Sequence, residues 1–181
     1  LTVATSQDGV SAGANVPALV GTVQSASITL DAADQKATKA TGAVTTVSFT
    51  TQTIIPQAGG TITITLPANY FSAKAQPVGI LVPFSGTAAT LACVLTANVL
   101  TIVCTTSAQA VPVGATKITF AAGELTTGAA VGASSTGLTV ATSQDGVSAG
   151  ANVPALTATE TTATGTTNTA TASPGTTNTA T

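Results

Sequence analysis

Much of the chain alternates between apolar and polar positions. Residues 61–66 read TITITL, which sets Ile62, Ile64 and Leu66 on one side and Thr61, Thr63 and Thr65 on the other. A period of two is that of a strand with one buried face. The same pattern predicts strands at 46–50 (Val47 and Phe49 inward), 27–30 (Ile28 and Leu30), 116–120 (Ile118 and Phe120) and 138–142 (Leu138 and Val140). Residues 79–82, GILV, are apolar throughout and predict a short, more fully buried strand. Breakers fall between these runs: Pro56 with Gly59–Gly60, Pro67, Pro77, Pro83, Pro112 with Gly114, and Gly123. No stretch sustains a helical period. Several short strands with regular breakers predict an all-β sandwich.

Residues 91–104, LACVLTANVLTIVC, predict a hairpin turning about Ala97 and Asn98. With the turn centred between Asn98 and Val99, Cys93 and Cys104 face each other across the arms. An even cysteine count in a secreted-type chain favours a disulfide. A turn shifted by one residue would leave two small buried thiols instead.

A duplication organises the chain. Residues 1–19 and 138–156 both read LTVATSQDGVSAGANVPAL. The offset, 138 − 1 = 137, has the size of one domain rather than of a solenoid repeat. Residues 20–156 are therefore read as one β-sandwich unit. Residues 1–19 are read as the terminal strand and linker of a preceding unit, or as a strand exchanged with a neighbour. Leu1 and Val3 need burial as much as Leu138 and Val140 do, and an exposed apolar edge invites pairing. These four residues are the expected assembly strand. The chain begins at Leu1 with no leader sequence, as expected of a processed or partial chain.

Past Leu156 the pattern stops. Residues 157–181 contain 13 Thr in 25 positions, and GTTNTAT occurs at 165–171 and again at 175–181. Such a tail lacks apolar periodicity and is expected to be disordered or extended. Thr-rich tracts with Pro resemble O-glycosylated stalks, against the plainer reading of a flexible linker. The candidate O-glycosylation sites are Thr157, Thr159, Thr161, Thr162, Thr164, Thr166, Thr167, Thr169, Thr171, Ser173, Thr176, Thr177, Thr179 and Thr181. None of the Asn residues (Asn15, Asn69, Asn98, Asn152, Asn168, Asn178) lies in an N-x-Ser/Thr acceptor, so any sugar would be O-linked.

Composition narrows the function. His, Met, Trp and Arg are absent, and charged residues make up 6% of the chain against roughly 25% in an ordinary soluble domain. Acid–base catalysis, transition-metal binding and nucleic-acid binding lack their usual side chains. No enzyme activity, cofactor, metal or nucleic-acid partner is expected. Asp31, Asp34, Lys36 and Lys39 form the one charge cluster, read as a solvated loop; two carboxylates are thin for Ca²⁺. Asp8 and Asp145 sit in Asp-Gly turns of the repeated segment. No apolar run reaches the ~20 residues of a spanning helix.

The string VSFTTQTIIPQAGGTITITLPANYF (47–71), the cysteine hairpin, VPVGATKITF and the closing GLTVATSQDG resemble the tandem immunoglobulin-like repeat of extracellular fibril and flagellar-hair (mastigoneme-like) surface proteins of algae and protists. The resemblance covers most of residues 20–156. It implies an immunoglobulin-like, glycosylated, extracellular repeat with no catalytic residues. The expected function is a structural subunit of a glycosylated filament or cell-surface fibril, joined end to end to copies of itself through the repeated segment. The alternative is a stalked adhesive or carbohydrate-binding module. For that role the adjacent pair Tyr70 and Phe71 should be exposed together.

Overall fold

A computed structural model describes residues 21–72, 76–96 and 101–159. The fold is all-β. Its strands are β1 (Gln24–Thr29), β2 (Thr45–Thr51), β3 (Thr61–Thr65), β4 (Phe71–Ser72), β5 (Val78–Val82), β6 (Ala89–Leu95), β7 (Thr101–Thr105), β8 (Gly114–Phe120), β9 (Thr126–Thr127), β10 (Ser134–Thr142) and β11 (Ala151–Val153). A short 3-10 turn at Ala32–Asp34 follows β1.

Nine strands form one sheet in the order β1-β2-β8-β5-β6-β7-β3-β10-β11, and β4 pairs with β9 apart from it. All the strand pairings are antiparallel. Two blocks of this order, β1-β2-β8-β5 and β3-β10-β11, reproduce the A-B-E-D and C-F-G sheets of an immunoglobulin constant domain. The β6–β7 hairpin lies between β5 and β3 and bonds to both. It joins what would be two facing sheets into one continuous sheet.

That sheet folds back until its ends nearly meet. Thr22 bridges Gly146, with Val23 N–H donating to Gly146 O (3.0 Å) and Gly146 N–H to Gly21 O (2.7 Å). The inward side chains of both halves then form a single core. It holds Val47 and Phe49 from β2, Ile62 and Ile64 from β3, Ile118 and Phe120 from β8, and Leu138 and Val140 from β10. These are the residues that the alternation assigned to the interior. The edge strand β1 is looser: Ile28 is half-buried, and Leu30 is buried just beyond the strand. The 79–82 run departs from its expectation. It is not buried throughout; β5 alternates, with Gly79 and Leu81 inward and Val78, Ile80 and Val82 exposed. Among the described residues no second layer covers its outer face, so apolar residues there face water.

Gly79 has a packing reason for lacking a side chain. A Cβ there would come within 3.0 Å of Cys93 Sγ and 3.0 Å of Ile118 Cγ2. Gly79→Val should therefore overpack the core and lower unfolding free energy by about 1–3 kcal/mol. Urea denaturation of the two proteins measures the difference.

Candidate assembly and modification sites

The repeated segment 138–156 supplies most of β10, the turn after it, β11 and the return to Leu156. Leu138 and Val140 are fully buried, and Thr139–Thr142 pair with Thr65–Ile62 of β3. The turn is built from side chains. Thr142 Oγ1 accepts from the N–H groups of Gln144 (3.1 Å) and Asp145 (2.8 Å). Ser148 Oγ accepts from Val140 N–H (3.0 Å) and donates to Ala149 O (3.0 Å). Beyond β11, Leu156 exchanges backbone bonds with Val131, N–H to O at 2.8 and 3.0 Å.

Asp145 does more than make the expected Asp-Gly turn. Its side chain is 2% exposed, and Oδ2 accepts from Gln52 N–H (3.0 Å) and Thr53 N–H (3.2 Å) at the end of β2. Its Oδ1 has no partner among the described residues and lies where a Cβ on Gly21 would approach to 2.9 Å. The segment thus spans the seam of the barrel-like sheet. It pairs with β3 on one side, and on the other holds the entry to β1 and the exit of β2.

The copy at residues 138–156 is satisfied within its own domain, so Leu138 and Val140 are core residues here. Leu1 and Val3 lie outside the described residues.

Cys93 and Cys104 are directly opposite on β6 and β7 and form a disulfide, with sulfurs 2.02 Å apart and both residues buried. The register continues through Val94–Val103 and Leu95–Ile102, which fits the expected turn centre; the turn itself lies outside the described residues.

The charge cluster departs from the solvated loop expected from its composition at Asp34, while Asp31 and Lys36 are exposed. Asp34 is 2% exposed, and its Oδ2 accepts from the N–H groups of Gly42 (2.8 Å) and Ala43 (2.9 Å). Lys39 Nζ lies 2.9 Å from Asp34 Oδ1. Asp31 caps the 3-10 turn by accepting from Ala33 N–H (2.8 Å). The buried carboxylate organises the crossing from β1 to β2. Burial by itself raises its pKa. The Gly42 N–H, the Lys39 ammonium and the Ala43 N–H together outweigh that and hold it below the ordinary 3.8. Among the described residues no group of three or more His, Cys, Asp or Glu could hold a metal ion.

Tyr70 is 1% exposed and donates from its hydroxyl to Pro154 O (3.0 Å). Burial pushes its phenol up to about 12. Phe71 is half-buried and packs edge-on against it, ring centres 5.1 Å apart. The pair is therefore not an exposed aromatic platform. Phe84, which sequence reading did not single out, is 72% exposed.

Thr157 and Thr159 differ in kind from a free tail. Thr157 N–H donates to Gln35 O (3.1 Å), and Ala37 N–H donates to Thr157 O (2.8 Å). The two hydroxyls donate to Gln35 O (3.0 Å) and Ala37 O (2.8 Å). The docked chain thus runs three residues past Leu156, and a sugar on either hydroxyl would cost a backbone-directed bond. The other tail candidates, from Thr161 to Thr181, lie outside the described residues. Inward threonines take a role the alternation concealed. Thr41, Thr51, Thr106 and Thr127 are buried and donate to loop carbonyls such as Leu125 O, Pro112 O, Gly60 O and Lys39 O.

No protein-family model, curated protein or solved structure matches the chain.

Replacing both cysteines, Cys93→Ala with Cys104→Ala, should lower unfolding free energy by on the order of 2–3 kcal/mol, the chain-entropy value for so short a loop. Guanidinium melts with and without the substitutions test this. Asp34 gives a pH signature. Its folded pKa lies below the unfolded value, so its stabilisation is complete above about 3.8 and is lost as pH falls through the folded value. Asp34→Asn should cost roughly 1.5–3 kcal/mol at pH 7, and the gap to the parent should narrow as pH drops below 3.8. Thermal melts from pH 7 to pH 2 follow both.

Proposed function

We propose that this chain is a structural unit of an extracellular, O-glycosylated filament or surface fibril, joined end to end to copies of itself through the repeated segment. The observation that carries this reading is the match between duplication and structure. The duplicated nineteen residues coincide with the closing element of the domain, most of β10 with β11 and the turn between them. A second copy of a closing element has use only where a second domain is there to be closed.

Three features support the reading. The Cys93–Cys104 disulfide suits an oxidising compartment. The outer face of β5 and β6 presents Val78, Ile80, Val82 and Val94 to water, as suits a surface covered in an assembly. The Thr-rich tail beyond the docked residues has the composition of an O-glycosylated stalk. The adhesive reading loses its main support with the burial of Tyr70. Among the described residues no helix is long and apolar enough to cross a membrane.

Electron microscopy of the full chain and of a chain lacking residues 1–19, with intact mass of each, tests the proposal. The full chain from its native source should form regular fibrils and weigh more than 17.3 kDa per unit because of attached sugar. The shortened chain should stay folded and lose fibril length. Normal fibrils without residues 1–19 would count against the assembly role.

A further inference from the structure

One band of the sheet's outer face is apolar along its length. Val78, Ile80 and Val82 point outward from β5, and Phe84, two residues further, is the most exposed large apolar side chain among the described residues. The register carries the band onto β6 and β7. Val78 stands opposite Ala92, and Val94, the next outward residue of β6, stands opposite Val103 of β7. Val94 is thus level with residue 76, and from there to Phe84 the band runs roughly 25 Å. None of the described residues of β5, β6 and β7 is charged. A charge of each sign borders the band on its β8 side, at different ends. Lys117 is opposite Val82, and Glu124 Oε2 accepts from Val78 N–H (2.8 Å). The band also holds a knob and a hole. Phe84 rises at one end, with its Cγ 2.9 Å from where a Cβ on Gly114 would lie. At the other end a groove of about 220 Å³ opens between Pro77, Val78, Ala92 and Val94. An apolar cavity of about 150 Å³ holds benzene, so this groove has room for a phenyl ring.

We infer that this band packs face to face on the same band of a second copy, across a two-fold axis that crosses β5 at Ile80. In such an isologous contact, what lies on one side of the axis meets what lies at the same distance on the other. Phe84 and the level of Val94 are equally far from Ile80 in opposite directions, so each Phe84 enters the groove of the other copy. Lys117, level with residue 82, and Glu124, held at residue 78, are likewise equally far from Ile80. Each ammonium therefore faces a carboxylate of the other copy. Two matched pairs about one point are what a second copy requires; an unrelated partner would require neither. Sheets packed in this way lie about 10 Å apart. A band of this length and three strands wide covers roughly 300 Å² in projection, while specific complexes bury about 800 Å² of accessible surface per partner. The apolar core is small, and Thr105, Thr119 and the charged margin form its polar rim. The dimer is accordingly reversible. This contact is lateral, so it goes beyond the end-to-end joint proposed above and does not depend on it.

Sedimentation equilibrium of the purified full chain over a dilution series tests this, with circular dichroism melts as the check on folding. The parent should show a reversible monomer–dimer step. Ile80→Lys brings two ammonium groups together at the axis, and Phe84→Ala empties the groove; each should raise the dimer Kd roughly tenfold or more. Both side chains are exposed, so the melts should match the parent's. Lys117→Glu and Glu124→Lys should each weaken the dimer several-fold alone, because like charges then meet at both ends. An equimolar mixture of those two variants should recover the parent's affinity, since a mixed pair sets opposite charges together at both ends. A parent that stays monomeric overturns the inference. So does a dimer indifferent to Ile80→Lys and Phe84→Ala, or a mixture no tighter than its components. Native fibrils without an Ile80-dependent dimer would sink this inference and leave the end-to-end reading standing. An Ile80-dependent dimer from a chain whose native material forms no fibrils would do the reverse.

Discussion

The fold depends on closing one seam. A nine-stranded sheet rolled back on itself has two ends, and both would expose backbone groups and core side chains if they stayed apart. Residues 138–156 close it by pairing with β3, burying Leu138 and Val140, and returning β11 beside β10. Gly146 and Asp145 then bind the start of β1 and the end of β2. Remove that element and β3 becomes an open edge beside an apolar pocket, which is the surface that strand addition recognises. Under the proposed assembly, end-to-end joining would draw on the same repeated sequence that closes the domain.

The charge-poor composition is consistent with this economy. With few ionic side chains, the loops are held by threonine hydroxyls and by two buried carboxylates. Asp34 gathers the β1–β2 crossing, and Asp145 gathers the seam. Each uses Oδ2 on two backbone N–H groups, and Asp34 Oδ1 also meets the Lys39 ammonium. The disulfide fastens the β6–β7 hairpin where it bridges the two immunoglobulin-like blocks.

Strand alternation was legible because each β-strand has only two faces. Ile62, Ile64, Val47, Phe49, Ile118 and Phe120 are where that pattern puts them. The cysteine pairing was legible for the same reason, since its parity follows from the turn centre. What alternation could not show was contact between distant loops. Asp34 and Asp145 read as surface turns because their partners, Gly42, Ala43, Gln52 and Thr53, are backbone groups that carry no signature in the sequence. The single continuous sheet was hidden likewise, since a hairpin's own pattern does not say which neighbours it joins. The exposed faces of Ile80 and Val82 misled because an apolar run reads as buried wherever it lies. The duplication was plain in the sequence, but that residues 138–156 close the sheet needed the strand order.

The central claim is that the repeated nineteen-residue segment joins neighbouring units. High-resolution electron microscopy of the native material measures that directly. The account predicts fibrils whose axial period is one domain, with residues 1–19 packed against the adjoining unit. Isolated particles, or fibrils in which residues 1–19 touch no neighbouring sheet, would contradict it.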